Sequence, residues 1–149
     1  MDAMLDLDPV APSGLDAVRL ASLPRFTDHR GSLSVLEGGI DLPFDIARVY
    51  YLYQVPATAH RAGHALKSTH QIMIAVAGAF TVTLDDGRDR LELRLDRPDQ
   101  YLYVPPMVWR LVDRFERSGV CLCMVSRHYD PDDYYRDHDA FLAALSQRG

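Results

Sequence analysis

The chain has 149 residues, of which 48% are hydrophobic and 25% are charged, and its formal net charge is −5 at pH 7. This length is enough for one domain with its own core, which needs neither a disulfide nor a metal ion in order to fold. No segment approaches the roughly 18 consecutive apolar residues of a membrane-spanning helix, and the acidic N-terminus is unlike a signal peptide, so we expect a cytoplasmic protein that does not contact a membrane.

The basic residues are unusual in type. All but one of the 16 are arginine, and the exception is Lys67. They are scattered along an acidic chain and form no basic stripe, so we exclude a nucleic-acid-binding protein. Arginines that converge in the folded chain could still bind a phosphate or a carboxylate through the planar guanidinium group.

Residues 1–25 are acidic, contain proline and show weak periodicity, so we predict a partly ordered N-terminal arm followed by a single domain over residues 26–149. Beyond this arm, short segments rich in Val, Ile, Tyr, Thr and Leu follow one another closely. This rhythm is typical of an antiparallel sandwich or barrel. The predicted strands are 33–37, 47–55, 71–77, 80–84, 90–95, 101–104, 108–112 and 120–126.

The residues between these segments predict turns. Asp86 and Gly87 form a DG step between two β-rich runs, which is a strong signal for a hairpin. Gly78 separates two apolar runs and predicts another tight turn. Pro105 and Pro106 donate no backbone hydrogen bond and predict a rigid corner.

The C-terminal end has the pattern of a short helix. Pro131, Asp132 and Asp133 resemble a helix N-terminus, where proline fits the first turn and carboxylates face the positive end of the dipole. Apolar residues then recur at helical spacing, at Phe141, Leu142 and Leu145.

Two further patterns concern the faces of strands. Cys121 and Cys123 point to the same face of a strand, where a disulfide would be strained, so we expect free core thiols. On the strand 47–55, one face carries Arg48, Tyr50, Leu52 and Gln54, and the other carries Val49, Tyr51, Tyr53 and Val55. The first face suits a polar pocket, and the second suits packing against another sheet or a second subunit.

Six segments resemble a known family when they are read in order: RGSLSVLE at 30–37, LPFDIARVYYLY at 42–53, RAGHALK at 61–67, LDDG at 84–87, YVPPMVWR at 103–110 and HYDPDDYYRDHDAFL at 128–142. The family is the dTDP-4-keto-6-deoxyhexose 3,4-ketoisomerases, the WxcM-like branch of the RmlC-like cupins. The resemblance covers residues 26–143. It implies an all-β cupin, a jelly-roll barrel with a short C-terminal helix, that isomerises a dTDP-linked keto sugar in deoxysugar biosynthesis.

The chain departs from the family at one motif. The family carries H-A-H-K where this chain has His64, Ala65, Leu66 and Lys67, so the second histidine is missing. A short turn could fold His70 back toward the barrel and supply the lost imidazole.

We expect neither a metal nor a cofactor. In cupins that bind metal, the ligand positions would correspond here to His64, Leu66, His70 and Arg110. Leu66 cannot ligate a metal, and Arg110 would place a permanent positive charge beside the ion. Two histidines remain, which is one fewer than the usual three protein ligands of a catalytic zinc site.

The resemblance assigns roles to the remaining polar residues. Moving a carbonyl from C4 to C3 of a sugar requires a base with a pKa near the working pH, and an imidazole with a pKa of about 6.5 suits this step. His64 is therefore the candidate base, with Tyr50 and Arg61 as further catalytic candidates that stabilise the developing oxyanion. The candidate substrate-binding residues are Arg30, Arg48, Lys67, Gln71, Trp109 and Arg110.

Two alternatives to the ketoisomerase remain open at this point. A cupin without the second histidine could bind a sugar nucleotide without turning it over, and a related 3,5-epimerase would also remove protons next to the C4 ketone. The resemblance also implies a homodimer, sometimes with exchanged N-terminal strands, and the apolar face of residues 49–55 is a candidate for its interface.

Overall fold

The computed structural model describes residues 14–148, so residues 1–13 of the predicted N-terminal arm lie outside the described chain. Short 3-10 turns occupy Gly14–Ala17 and Pro131–Asp133. The regular elements are β1 (Arg19–Ser22), β2 (Arg25–Asp28), β3 (Gly31–Ser34), β4 (Arg48–Leu52), β5 (His60–Leu66), β6 (Gln71–Asp85), β7 (Arg90–Leu95), β8 (Gln100–Val104), β9 (Trp109–Val125), β10 (Tyr134–Tyr135) and α1 (His138–Arg148).

The two longest strands, β6 and β9, organise the fold. They pair antiparallel along their whole length, and each is bent in the middle. The first half of β6 pairs with β8, which in turn pairs with β1, and the second half of β6 pairs with β7. Strand β5 joins the first half of β9 and is followed by β10, whereas β4 joins the second half of β9. The strands therefore form two layers, β1–β8–β6–β9–β4 and β7–β6–β9–β5–β10, as in the predicted jelly roll.

The bend in these two strands depends on a close approach of two glycines. A Cβ atom on Gly78 would lie 2.5 Å from the carbonyl oxygen of Glu116, and one on Gly119 would lie 2.4 Å from that of Ala79. The predicted turn at Gly78 is therefore wrong. The predicted strands 71–77 and 80–84 form the single strand β6, and 108–112 and 120–126 belong to β9, because the residues between them pair across the bend.

The core lies between the two layers. Its buried members are Met73, Ala75, Phe80, Val82, Leu84, Leu95, Leu102, Val104, Val108, Val112, Phe115, Cys121 and Cys123. The two cysteines are free and buried, with their Sγ atoms 3.6 Å apart, as the sequence predicts.

The outer face of the first layer is covered only in part. Leu42 and Phe44, from the segment between β3 and β4, pack in a second apolar cluster with Ile72. Farther along this face, Val49 and Tyr51 of β4 are 51% and 59% exposed. The alternation predicted for this strand is confirmed over Arg48–Leu52, since the side chains of its other face are partly buried. The strand ends there, and the predicted faces of Gln54 and Val55 are wrong, because Gln54 adopts φ 55° and Val55 packs against the core.

The predicted arm is more ordered than expected over its described part. Strand β1 lies within residues 1–25 and pairs with β8, with Arg19 opposite Tyr103 and Ser22 opposite Gln100. Strands β2 and β3 form a separate two-stranded hairpin, and every residue in them is exposed.

The turns and the C-terminal helix follow the prediction with one shift. The carboxylate of Asp86 accepts hydrogen bonds from the backbone N–H groups of Arg88 and Asp89, which fixes the predicted hairpin turn. The helix begins at His138 rather than at Pro131, because residues 131–133 form a 3-10 turn and β10 follows it. No helix in residues 14–148 is long and apolar enough to cross a membrane.

Candidate active site

The polar segment 60–71, which the sequence places between two strands, forms strand β5 over most of its length. Its register against β9 shifts between Ala62 and His64, so β5 contains a β-bulge. Gly63 adopts φ +74° in this bulge, which a residue with a side chain rarely adopts. The bulge brings His64 opposite Arg110 on β9 and therefore turns the imidazole toward the inside of the barrel.

Four polar side chains meet inside the barrel, and we call them the inner cluster: Tyr50, His64, Gln71 and Arg110. Arg110 is fully buried, and its Nη1 donates a hydrogen bond of 2.5 Å to Oε1 of Gln71. The amide nitrogen of Gln71 donates in turn to the hydroxyl of Tyr50 at 2.8 Å. Nη2 of Arg110 donates hydrogen bonds to the carbonyl oxygens of Val108 and Pro105. These hydrogen bonds hold the side chains of Arg110, Gln71 and Tyr50 in one orientation each.

The surroundings of the inner cluster favour the neutral form of a basic side chain over its charged form. Burial, together with the positive charges of Arg110 and Arg136, lowers the pKa of His64 to about 3. Burial also lowers the pKa of Arg110 to about 10, which leaves it charged at neutral pH, and raises the pKa of Tyr50 well above its usual value. At neutral pH the cluster therefore presents a neutral imidazole beside a fixed cation.

A segment that follows β9 crosses the opening above this cluster, and we call residues 127–136 the C-terminal strap. Its strand β10 pairs with the end of β5, with Tyr134 opposite Leu66. The ring of Tyr134 meets the imidazole of His64 edge-on at 4.8 Å, and the guanidinium of Arg136 lies 4.3 Å from the centre of the Tyr134 ring. Arg48 donates to the Tyr134 hydroxyl at 3.4 Å, so the strap joins the cluster to β4.

One buried carboxylate anchors the strap to the turn after β5. Asp133 is 5% exposed and accepts hydrogen bonds from the backbone N–H of Ser68 at 3.0 Å and from its hydroxyl at 2.7 Å. The hydroxyl of Thr69 also donates to this carboxylate at 2.5 Å, and Arg127 forms an ion pair with it at 3.2 Å. Four donors on one carboxylate fix the height of the strap above the barrel.

Two arginines of the site have a guanidinium N–H group without a hydrogen-bond partner. Among residues 14–148, the buried side-chain nitrogen and oxygen atoms that lack a hydrogen-bond partner are Nε of Arg48 and Nε of Arg110. Buried polar groups are almost always paired in folded proteins. These two guanidinium N–H groups are therefore free to donate to a ligand with acceptor oxygens.

Comparisons with known proteins agree with this geometry. The family model FdtA, described as WxcM-like, C-terminal, matches residues 16–146. A TDP-4-oxo-6-deoxy-alpha-D-glucose-3,4-oxoisomerase from Aneurinibacillus thermoaerophilus is 36% identical over 129 residues, which are 87% of this chain and 93% of that protein. The chain belongs to the FdtA family.

Solved structures support the same family and its fold. QdtA, a sugar 3,4-ketoisomerase from Thermoanaerobacterium thermosaccharolyticum crystallised with TDP, is 34% identical with a TM-score of 0.85, over 88% of this chain and 96% of QdtA. ChmJ, a 3'-monoepimerase from Streptomyces bikiniensis, is 16% identical with a TM-score of 0.71, over 87% of this chain and 72% of ChmJ. The likeness to ChmJ concerns the cupin fold alone, and the predicted resemblance to the 3,4-ketoisomerases is confirmed.

The structure of this FdtA family member brings together five of the predicted site residues and leaves a sixth at the edge. Tyr50, His64, Gln71 and Arg110 form the inner cluster, and Arg48 adjoins it, with its guanidinium 4.8 Å from the centre of the Tyr50 ring. Arg61 pairs with the core residue Val112, so its side chain shares the inner face with His64, but it is exposed.

Three predicted binding residues lie elsewhere in this FdtA family member. Arg30 is at the exposed tip of the β2–β3 hairpin and forms an ion pair with Asp28. Trp109 lies on the outer side of β9 against helix α1, with its ring 4.9 Å from that of His138. Lys67 is exposed, and its ammonium lies 4.9 Å from the centre of the Tyr135 ring. Within one chain, none of the three is brought to the inner cluster.

His70 does not supply the missing imidazole. Its ring stacks on Tyr103, and its Nδ1 is 2.6 Å from the Tyr103 hydroxyl. Tyr103 belongs to the apolar cluster on the outer face, whereas the next residue, Gln71, points inward. The side chains on the two sides of β6 are thus separated by the strand itself. Leu66 occupies the position of the family's second histidine and is 2% exposed.

Sequence reasoning missed the residues of the strap. The motif HYDPDDYYRDHDAFL supported the resemblance to the FdtA family, but no role was assigned to Tyr134, Arg136 or Asp133. The concentration of tyrosines, aspartates and an arginine between the last long strand and the helix was the available signal. Residues 14–148 contain no group of three or more His, Cys, Asp or Glu side chains that could hold a metal ion.

Proposed function

We propose that the chain catalyses the 3,4-ketoisomerisation of TDP-4-keto-6-deoxyglucose in deoxysugar biosynthesis. The observation that carries this proposal is the pairing of a neutral buried imidazole, His64, with the buried cation Arg110 across β5 and β9. The relatives support the substrate class. QdtA has been crystallised with TDP, and a histidine-to-asparagine variant of it has been crystallised with TDP-4-keto-6-deoxyglucose.

The reaction needs a base and a place for negative charge. Neutral His64 takes the proton from C3, and the electron pair of that C–H bond forms the C3–C4 double bond while the C4 carbonyl oxygen becomes an enediolate oxygen. The unpaired Nε–H of Arg110 and the hydroxyl of Tyr50 are our candidate donors for this oxygen. The C3 hydroxyl passes its proton to the C4 oxygen, the electron pair of the resulting C3 alkoxide regenerates the carbonyl at C3, and the C3–C4 double bond takes up a proton at C4.

The cations around the opening suit the diphosphate of the nucleotide. Arg48 and Arg136 flank Tyr134 on the strap, and Arg61 lies exposed on the inner face of β5. Guanidinium groups bind phosphate oxygens through parallel N–H groups. We assign Arg48 and Arg136 to the diphosphate, and Arg61 to the rim of the site.

The proposal is tested by incubating the protein with TDP-4-keto-6-deoxyglucose in deuterated water and following the sugar by NMR. A new C3 ketone with deuterium at C4 is the expected result, and His64→Asn should lower the rate by about 10²- to 10⁴-fold while nucleotide affinity is nearly unchanged. His128→Asn, at an exposed position, is the matched control.

The other outcomes correspond to the alternative functions. Deuterium that appears at C3 and C5 without a C3 ketone would indicate a 3,5-epimerase. Tight TDP binding without any exchange would indicate a cupin that binds the nucleotide sugar only. Either result would contradict the proposed activity.

A homodimer is part of the proposal. Val49 and Tyr51 leave an apolar surface open on the first layer, and the exposed β2–β3 hairpin carries Phe26 and Leu33, which are direct cross-strand partners on one face of it. An isolated two-stranded hairpin is only marginally stable in water. A second copy of the chain would cover both surfaces. We also propose a cytoplasmic location, which the two free buried thiols support because thiols stay reduced there.

A further inference from the structure

We infer that one imidazole, that of His64, both removes the proton from C3 and returns it to C4 on the same face of the sugar, so that the product has the galacto configuration at C4. This inference rests on the proposed function. It goes beyond that function because it assigns the stereochemical course of the reaction to this chain.

The first argument is the position of each histidine. All six histidines of the sequence lie within the described residues, and only His64 points into the inner cluster. His70 is held by Tyr103 on the outer face, and His138 lies 3.0 Å from Asp85 at helix α1. The remaining three are exposed: His29, His60 and His128.

The second argument is the position where the family carries another histidine. Leu66 follows His64 by two residues on the same strand, so both side chains point to the same side of β5. Leu66 is buried and cannot hold a proton. No second imidazole is therefore available in the described chain to protonate the enediolate from a different direction.

The other polar groups of the cluster are poor proton donors. The pKa of Tyr50 is raised by burial, and its hydroxyl already accepts a hydrogen bond from Gln71. Arg110 remains charged and is tied to Gln71 and to two carbonyls. The imidazolium formed by proton removal is a much stronger acid than either, because burial and the adjacent positive charges destabilise it. It returns its proton readily.

The configuration of the product follows from the geometry of the ring. In the gluco substrate, the hydrogen on C3 is axial and lies on the opposite face from the position of the C4 hydrogen in glucose. A base that takes the C3 hydrogen and delivers the proton to C4 from the same face therefore forces the C4 hydroxyl into the axial position. An axial C4 hydroxyl is the galacto configuration.

The test uses substrate carrying deuterium at C3, in ordinary water, under single-turnover conditions with NMR detection. We expect a 3-keto product with a small H4–H5 coupling, which marks the galacto configuration, and deuterium at C4 in part of the molecules that form. A galacto product without deuterium would still support delivery from the same face, with exchange of the imidazolium proton before its return.

A gluco product would overturn the inference and leave the proposed function intact. Absence of any 3-keto product would instead contradict the proposed function. His70→Gln is the matched control, since this histidine lies on the outer face, and we expect it to keep both the galacto configuration and the deuterium transfer. A change of configuration in His70→Gln would identify a second proton donor and overturn the inference.

Discussion

His64 and Arg110 are direct partners across strands β5 and β9, and both side chains point into the barrel. Burial together with the guanidinium charge lowers the pKa of His64 to about 3. The imidazole is therefore a neutral proton acceptor throughout the physiological pH range. The diphosphate of the proposed substrate would bring negative charge to the same site and offset part of the positive charge around the imidazole.

Removal of one positive charge should change the pH dependence of activity. Arg136→Gln removes a cation that disfavours the imidazolium, so the pKa of His64 should rise toward its usual value of about 6.5. The acid limb of the kcat/KM profile, which reports the base of the free enzyme, should then move to higher pH than in the wild type. Arg90→Gln, on the exposed side of β7, should leave the limb in place. An unchanged limb in Arg136→Gln would contradict this electrostatic coupling.

The same lowered pKa has a consequence for acid stability. Between pH 6.5 and pH 3 the unfolded chain binds a proton at His64 and the folded chain does not, so the free energy of unfolding falls as the pH falls through this window. His64→Asn removes this contribution. Urea unfolding of both proteins between pH 7 and pH 4 should show a shallower loss of stability in the variant. Equal slopes would mean that the folded protein protonates His64 near its usual pKa.

The carboxylate of Asp133 should hold the strap in place. Asp133→Asn weakens four hydrogen bonds or ion pairs at a buried position, and we expect the free energy of unfolding to fall by about 2 kcal/mol. KM should also rise, because the strap carries Tyr134 and Arg136 over the site. Asp132→Asn, on the neighbouring exposed residue, provides the control and should change neither quantity by more than a small amount.

Gln71 should be required for the orientation of the inner cluster. Gln71→Met leaves the Nη1 donor of Arg110 without its acceptor and leaves Tyr50 without its donor. A lost partner at a buried polar group costs about 1–3 kcal/mol, and thermal unfolding should report this loss. The rate of C3 proton exchange should fall as well. Gln147→Met on the exposed side of α1 is the comparison, and a Gln71 variant that matches it would refute the role.

The apolar face of β4 should form the subunit interface. Tyr51→Arg places a charge at the centre of the exposed apolar surface, and we expect a dimer to become a monomer in light scattering coupled to size-exclusion chromatography. Leu91→Arg, at an exposed position of β7 in the other layer, should leave the mass unchanged. A wild-type protein that is itself a monomer would contradict the proposed dimer.

Local patterns predicted much of this fold. The DG step at Asp86 and Gly87, the proline corner and the alternation along β4 are properties of neighbouring residues, and each is found in the structure. The long strands β6 and β9 could not be predicted in the same way. Their continuity depends on pairing across the Gly78 and Gly119 contact, which joins residues far apart in the sequence.

The candidate site also combines residues that local motifs identify with residues whose placement depends on tertiary packing. His64, Tyr50 and Arg110 were identified from the motifs, whereas the direction of His70 depends on its packing against Tyr103. The inner-face position of Arg61 depends on the bulge at Gly63, because strict alternation would place residues 61 and 64 on opposite faces. A one-residue irregularity in a strand is not visible in the hydrophobic pattern, yet it decides which side chains share a pocket.

The candidate site is built from two separate parts of the chain, the C-terminal strap and the barrel strands that carry the inner cluster. Strands β4, β6 and β9 of the barrel also contribute side chains to the protein core, so few of these side chains can change without loss of stability. Residues 127–136 are attached mainly through Asp133 and the two-residue strand β10. A protein built in this way can exchange the groups that face the substrate while it keeps the base and the barrel, which makes the strap the natural segment to graft when a new sugar specificity is sought.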